Sequence, residues 1–185
     1  IAAFFERKGL TVKGTGEVAP GLLAAEGTIV GEPRDDDLAA ARLGQRAIAT
    51  LAPYDVGQGV VLDGGRLAAI EGVEGTDALL GRLPPPDARR VFVKTTKPGQ
   101  DLRLDLPTVG PETLRSAAAA GVCLTAIEAG RTLIVDRNEA CAIAEASGMA
   151  VAGLPEQIIH NQGCLQVFVS GRTVPTGKHA EIQQP

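Results

Sequence analysis

The chain has 185 residues, 44% of them hydrophobic but only 3% aromatic and none of them Trp, so one domain with an aliphatic core is within reach and a base-stacking platform is excluded. The net charge is −4, with 18 Lys and Arg against 22 Asp and Glu and no long basic run, which excludes nucleic acid as a main partner because phosphate neutralisation needs clustered cations. No apolar run approaches the roughly 20 residues of a membrane span, and Cys123, Cys141 and Cys164 are spaced too widely for a disulfide framework or a zinc site, which points to reduced thiols in a cytoplasmic protein.

Residues 1–18 read as the end of a helix, a stop at Gly9 and a short strand, the remnant of an N-terminal domain that continues upstream. Residues 19–35 are rich in Gly and Pro without a period and read as a linker. "DDDLAAARLGQRAIATLA" sets acidic caps before apolar residues at helical spacing, which predicts a helix over about 36–52. "YDVGQGVVLDGGRLAAIE" predicts a hairpin turning at Asp63-Gly64-Gly65. "GTDALLGRL" begins a helix with Thr76 or Asp77 as its cap, and "RVFVK" is a short buried strand. "PETLRSAAAAG" is a helix with Pro at its start and Gly121 at its end. "VCLTAIE" and "TLIVD" predict two strands joined through Ala129-Gly130, followed by a helix in "RNEACAIAEASG" and a last strand in "MAVAG". Interleaved helices and strands with hairpins give the class α/β, with a mixed sheet flanked by helices. Residues 36–153 form the main domain, and 154–185 a polar tail in which "CLQVFVSG" is a further strand.

The densest gathering of polar groups is "KPGQDLRLDLPTVGPET", after a strand and before a helix start, where α/β folds tend to place ligands. Lys94, Lys97 and Arg103, with a helix amino terminus nearby, suit a phosphate or diphosphate. Asp101 and Asp105 offer hard oxygen ligands for Mg2+. Taken singly, each is an ordinary loop charge. In "IEGVEGTDALL", Gly75 permits close backbone approach, and Asp77 is placed to complete a metal site with Asp105, although Thr-Asp at a helix start is also a common cap. Gln58 in "DVGQG" suits an amide or a sugar, and equally a turn. GxGxxG before a helix, GxSxG, HExxH and a P-loop are all absent, which leaves dinucleotide enzymes, serine hydrolases, zinc proteases and P-loop enzymes without support.

Taken together, "DVGQGVVLDGGRLAAIEGVEGTDALL", "VKTTKPGQDLRLDLPTVGPETL" and "GVCLTAIEAGRTLIVDR", in this order, closely resemble the carboxyl-terminal domain of LpxI-type UDP-2,3-diacylglucosamine hydrolases, over about residues 4–153. The resemblance implies Mg2+-dependent cleavage of UDP-2,3-diacylglucosamine to UMP and 2,3-diacylglucosamine 1-phosphate (lipid X), a step of lipid A synthesis in Gram-negative bacteria. It makes 36–153 the catalytic domain. It implies that Asp105, the acid of the family's R-x-DLP motif, is catalytic and a metal ligand, that Gln100 and Arg103 share its motif, and that Thr76 and Asp77 match the family's EGTDA motif. It further implies a homodimer in the cytoplasm, in peripheral contact with the inner membrane. The competing expectation is a non-catalytic nucleotide-sugar or lipid binding module.

Overall fold

"RVFVK", "VCLTAIE" and "AVAGL" are nearly unbroken apolar runs, as parallel strands covered on both faces require. A computed structural model of the chain, which describes residues 2–156, places them side by side. Its strands are β1 (Gly27–Val30), β2 (Gly59–Asp63), β3 (Arg66–Ile70), β4 (Arg90–Lys94), β5 (Thr108–Val109), β6 (Val122–Glu128), β7 (Leu133–Ile134) and β8 (Ala150–Leu154). Its helices are α1 (Ala2–Glu6), α2 (Thr15–Val18), α3 (Asp35–Leu51), α4 (Thr76–Gly81), α5 (Pro111–Ala119) and α6 (Arg137–Ala146).

A six-stranded sheet runs β1-β8-β6-β4-β2-β3. The central β4, β6 and β8 are parallel, while β2 and β3 at one edge and β1 at the other are antiparallel to their neighbours. The sheet is therefore mixed, as expected. Alternation along β2 sorts the two faces. Val60 and Leu62 face α3, packing with Ala41 and Ile48, while Val61 joins Leu79, Leu80, Leu114 and Ala117 of α4 and α5 on the other face. Gly44 lets α3 lie close: a Cβ there would come 2.7 Å from both Leu62 and Val93.

Ion pairs fix the end of the sheet opposite the site. Arg90, 2% exposed, donates to Asp63 at 2.7 Å and to the Pro84 carbonyl at 2.9 Å. Asp37 in the first turn of α3 is buried against Arg89, at 2.9 Å from Nε, and that hydrogen bond holds its carboxyl below the usual range. Cys123 and Cys141 are free thiols, and burial pushes the Cys123 thiol up.

Three expectations need correction. Residues 10–18 contain the short helix α2 rather than a strand. The stretch expected to be a linker contributes β1 to the sheet edge, with Ala24 and Val30 buried. "TLIVD" is not a hairpin partner of β6; only Leu133–Ile134 is extended, and it pairs in parallel with β5 in a separate two-stranded sheet. The reason is that both edges of β6 are already taken, by β4 and β8, so a hairpin strand has no free ladder to join. The strand expected in the tail lies outside the described residues.

Candidate active site

The strand directions bring distant residues to one rim. β2 begins where β3, β4 and β6 end, because Gly59 is opposite Lys94, Val60 opposite Ile70, and Ile127 opposite Lys94. Gln58, Glu71, Lys94 and Glu128 thus lie at the same end of the sheet, and the loop after β4 crosses there.

Asp105 sits in that loop with one carboxylate oxygen held by amides. Gln100 Nε2 donates to Asp105 Oδ2 at 2.6 Å and to the Asp105 carbonyl at 2.9 Å. Gln58 Nε2 approaches the same Oδ2 at 3.5 Å, the outer limit of a hydrogen bond. The loop itself is closed by the Asp105 N–H donating to the Asp101 carbonyl at 3.1 Å. The other oxygen, Oδ1, accepts no hydrogen bond from the described residues, and Asp105 as a residue is exposed.

Beside it runs a chain of three side chains. Lys94 Nζ donates to the Thr76 hydroxyl at 2.5 Å, and that hydroxyl donates to Glu71 Oε1 at 3.0 Å. The cap of α4 is therefore Gly75, at φ +82°, and not Thr76 or Asp77; the Thr76 hydroxyl is spent on its neighbours across the rim. Nothing lies within 4 Å of a Cβ built on Gly75, so its left-handed backbone, rather than crowding, calls for glycine. Glu71 is 9% exposed, and its Oε2 is buried without a partner among the described residues. Gly57 and Gly59 make room for it, since a Cβ at either would come within 2.6 Å of Glu71 atoms.

Asp77 lies exposed in the first turn of α4, and the other remaining candidates, Lys97, Asp101 and Arg103, are ion-paired. Lys97 Nζ lies 2.7 Å from Asp55 Oδ1, and this bond holds the exposed Asp55 carboxyl low. Arg103 grips both oxygens of Asp101, at 3.0 and 2.9 Å, and its third arm reaches Glu6 of α1 at 2.8 Å. The Arg103 hydrogen bond likewise holds the Asp101 carboxyl low. Among the described residues, no group of three or more His, Cys, Asp or Glu gathers to hold a metal, so Asp105, Asp77 and Asp101 do not form one ligand set. The donor chemistry still fits Mg2+ in its usual manner, through one or two carboxylates with substrate phosphates and waters completing the shell. Asp105, exposed and with Oδ1 taking no hydrogen bond from the described residues, is the residue suited to that role.

Sequence reasoning named Glu71 and Gly57 without giving either a role, and passed over Gly59. The available signal was the Gly-Gln-Gly spacing: small residues on one side of a strand start leave a space that a neighbouring side chain must fill.

The rim defines an α/β domain with an amide-oriented carboxylate and two lysines where parallel strands end. The profile of the family described as LpxI C-terminal domain matches residues 25–152. The chain is 35% identical over 163 residues to the UDP-2,3-diacylglucosamine pyrophosphatase LpxI of Caulobacter vibrioides, an alignment covering 83% of this chain and 58% of that protein. The chain belongs to the LpxI family, as its motifs implied, and it spans 58% of the length of the curated relative it matches.

Proposed function

We propose that the chain supplies the catalytic domain for Mg2+-dependent hydrolysis of the diphosphate bond of UDP-2,3-diacylglucosamine, giving UMP and 2,3-diacylglucosamine 1-phosphate in lipid A synthesis. The observation that carries this reading is the pair of amides aimed at Asp105 Oδ2. They fix the carboxylate so that Oδ1 orients a water for in-line attack on the phosphorus nearer the uridine. The new bond joins water oxygen to that phosphorus. The bond that breaks sends its electron pair to the bridging oxygen, which departs on the sugar phosphate. Lys94 and Lys97 supply positive charge for the diphosphate oxygens, and Thr76 sets the position of the Lys94 ammonium. Mg2+, when bound at Asp105, supplies neutralisation of the phosphate charge.

The named activity of the Caulobacter relative supports the same substrate. No helix among the described residues is long and apolar enough to cross a membrane, so a lipid substrate would be met at a surface rather than within a span. The expected setting is the cytoplasmic face of the inner membrane, with the chain as a homodimer, which light scattering would check.

The test is incubation with UDP-2,3-diacylglucosamine in ¹⁸O-labelled water, with Mg2+ or with excess EDTA. Labelled UMP in the first sample and none in the second is the expected result. Unlabelled UMP with labelled sugar phosphate would overturn the site of attack, and intact substrate throughout would favour a binding module.

A further inference from the structure

The chemistry described above gives Glu71 no task, yet two glycines make way for its burial. It directly follows β3, and its backbone is pinned on both sides: the Glu71 N–H donates to the Gly59 carbonyl and the Gly57 N–H to the Glu71 carbonyl, each at 2.8 Å. Its side chain fills the space over those glycines, where an added Cβ would come 2.5 Å from Glu71 Cγ and 2.6 Å from its Oε2. Neither Gly57 nor Gly59 has a positive φ, so it is the space, and not the backbone, that forbids a side chain there.

Packing alone does not account for a carboxyl group at this place. A buried polar atom without a partner is destabilising, and Oε2 is such an atom among the described residues. What the carboxyl group does supply is Oε1, which accepts from the Thr76 hydroxyl at 3.0 Å. A threonine hydroxyl has one proton to give, and an ammonium can only donate. The chain therefore runs in one direction, from Lys94 Nζ to Thr76 Oγ1 at 2.5 Å and from Thr76 to Glu71. With its proton committed to Glu71, the hydroxyl keeps a lone pair turned to Lys94. Lys97 and Arg103 are spent on Asp55, Asp101 and Glu6. Lys94 has no carboxylate partner among the described residues, and its two other N–H groups have no acceptor there.

We propose that Glu71 is a positioning residue: by accepting the Thr76 proton it fixes the hydroxyl, and through the hydroxyl the direction in which Lys94 presents its remaining N–H groups. The proposal rests on the hydrolase reading, in which Lys94 meets the charge that grows on the diphosphate as the bond to the bridging oxygen breaks. A donor already fixed in place needs no reorganisation at that moment. Glu71 touches neither substrate nor reacting atoms. It acts as a hydrogen-bond acceptor and not through its charge, so a neutral acceptor of the same shape replaces it, whereas an apolar side chain of the same length does not.

The experiment compares Glu71→Met, which keeps the length without an oxygen, with Glu71→Gln, which keeps a carbonyl oxygen for Thr76. Two quantities are read: steady-state release of UMP from UDP-2,3-diacylglucosamine with Mg2+, and ¹⁵N relaxation of the Lys94 ammonium. A donor displaced by about 1 Å can cost on the order of a hundredfold in rate. In Glu71→Met, kcat should therefore fall about ten- to hundredfold while KM stays within about threefold; in Glu71→Gln both should stay within about threefold of the parent. The Lys94 ammonium should be ordered in the parent and in Glu71→Gln, and as mobile in Glu71→Met as those of the exposed Lys8 and Lys13. The parent spectrum stands even if a variant fails to fold: a Lys94 ammonium as mobile as that of Lys8 in the unaltered chain would overturn the assignment. So would equal losses in both variants, which would mark charge rather than an acceptor. A purely structural Glu71 would move the melting temperature of Glu71→Met and leave kcat and Lys94 unchanged, which would also overturn it. If the parent releases no UMP while the order of Lys94 still follows the acceptor, the positioning chain stands and the hydrolase reading falls.

Discussion

Asp105→Asn is the sharpest perturbation available, because it removes a charge while leaving the shape and the acceptor. The Asn carbonyl can still take the Gln100 amide that now lies 2.6 Å from Oδ2, so the loop should stay closed. Asp105 is exposed, and exposed polar changes typically shift stability by no more than about 0.5 kcal/mol. Turnover should respond differently. A carboxylate that orients the attacking water and binds the cation acts in the transition state, and losing such a group costs about 10²- to 10⁴-fold, or roughly 3–5 kcal/mol of barrier. Asp101→Asn removes the same charge from the same loop, but there the carboxylate faces Arg103 rather than open surface; the expected loss is under about tenfold. The assay is initial-rate release of UMP, with thermal melting run in parallel on each variant. Asp105→Asn turning over within about threefold of the parent, at unchanged melting temperature, would refute the reasoning from geometry to catalysis.

Further expectations concern the rim and the core. Thr76→Val removes both hydrogen bonds of the Lys94–Thr76–Glu71 chain and strands a mostly buried carboxylate, so it should cost about 1–3 kcal/mol of stability and also lower turnover; urea titration and the UMP assay read the two effects separately. Gly44→Ala pits a helix-propensity gain of about 1 kcal/mol against overpacking on Leu62 and Val93 that costs roughly 1–3 kcal/mol, so the net should be destabilising by about 0–2 kcal/mol in urea. The Asp37 carboxyl is held low by Arg89, so folding favours its charged form: the contribution is complete above the unfolded value near 3.8 and is lost as the pH falls through the folded one. Asp37→Asn should therefore flatten the acid limb of a stability-against-pH curve in that window and leave the slope near neutrality unchanged.

Much of the scaffold was legible because local chemistry and global position agreed. The Asp-rich start of α3, the Gly64-Gly65 turn and the Pro-to-Gly bounds of α5 each announce themselves within a few residues. β1 was not legible, since a short edge strand needs only a free ladder and "GTIV" lies among turn formers. β7 misled for the opposite reason: its residues favour a strand, but the ladder it would join is occupied. In the site, Asp105 and Gln100 are five positions apart in one loop and could be paired from sequence, whereas Gln58 reaches them from 47 residues away and only the strand order brings it there. The grouping of the loop's carboxylates was the least legible, because Asp101 and Asp105 read as a set until Arg103 is seen to occupy Asp101.

The shared rim has a consequence for how the domain comes into being. Its residues reach from Gln58 to Glu128, and their meeting depends on parallel pairing of β4 with β6 across a helix, a contact of high sequence separation. Such pairings form late and slowly, because loop-closure entropy is spent before they are rewarded. No single hairpin among the described residues holds Gln58, Gln100 and Asp105 together. Under the proposed function, release of UMP during refolding should therefore rise in step with the last cooperative folding phase rather than ahead of it.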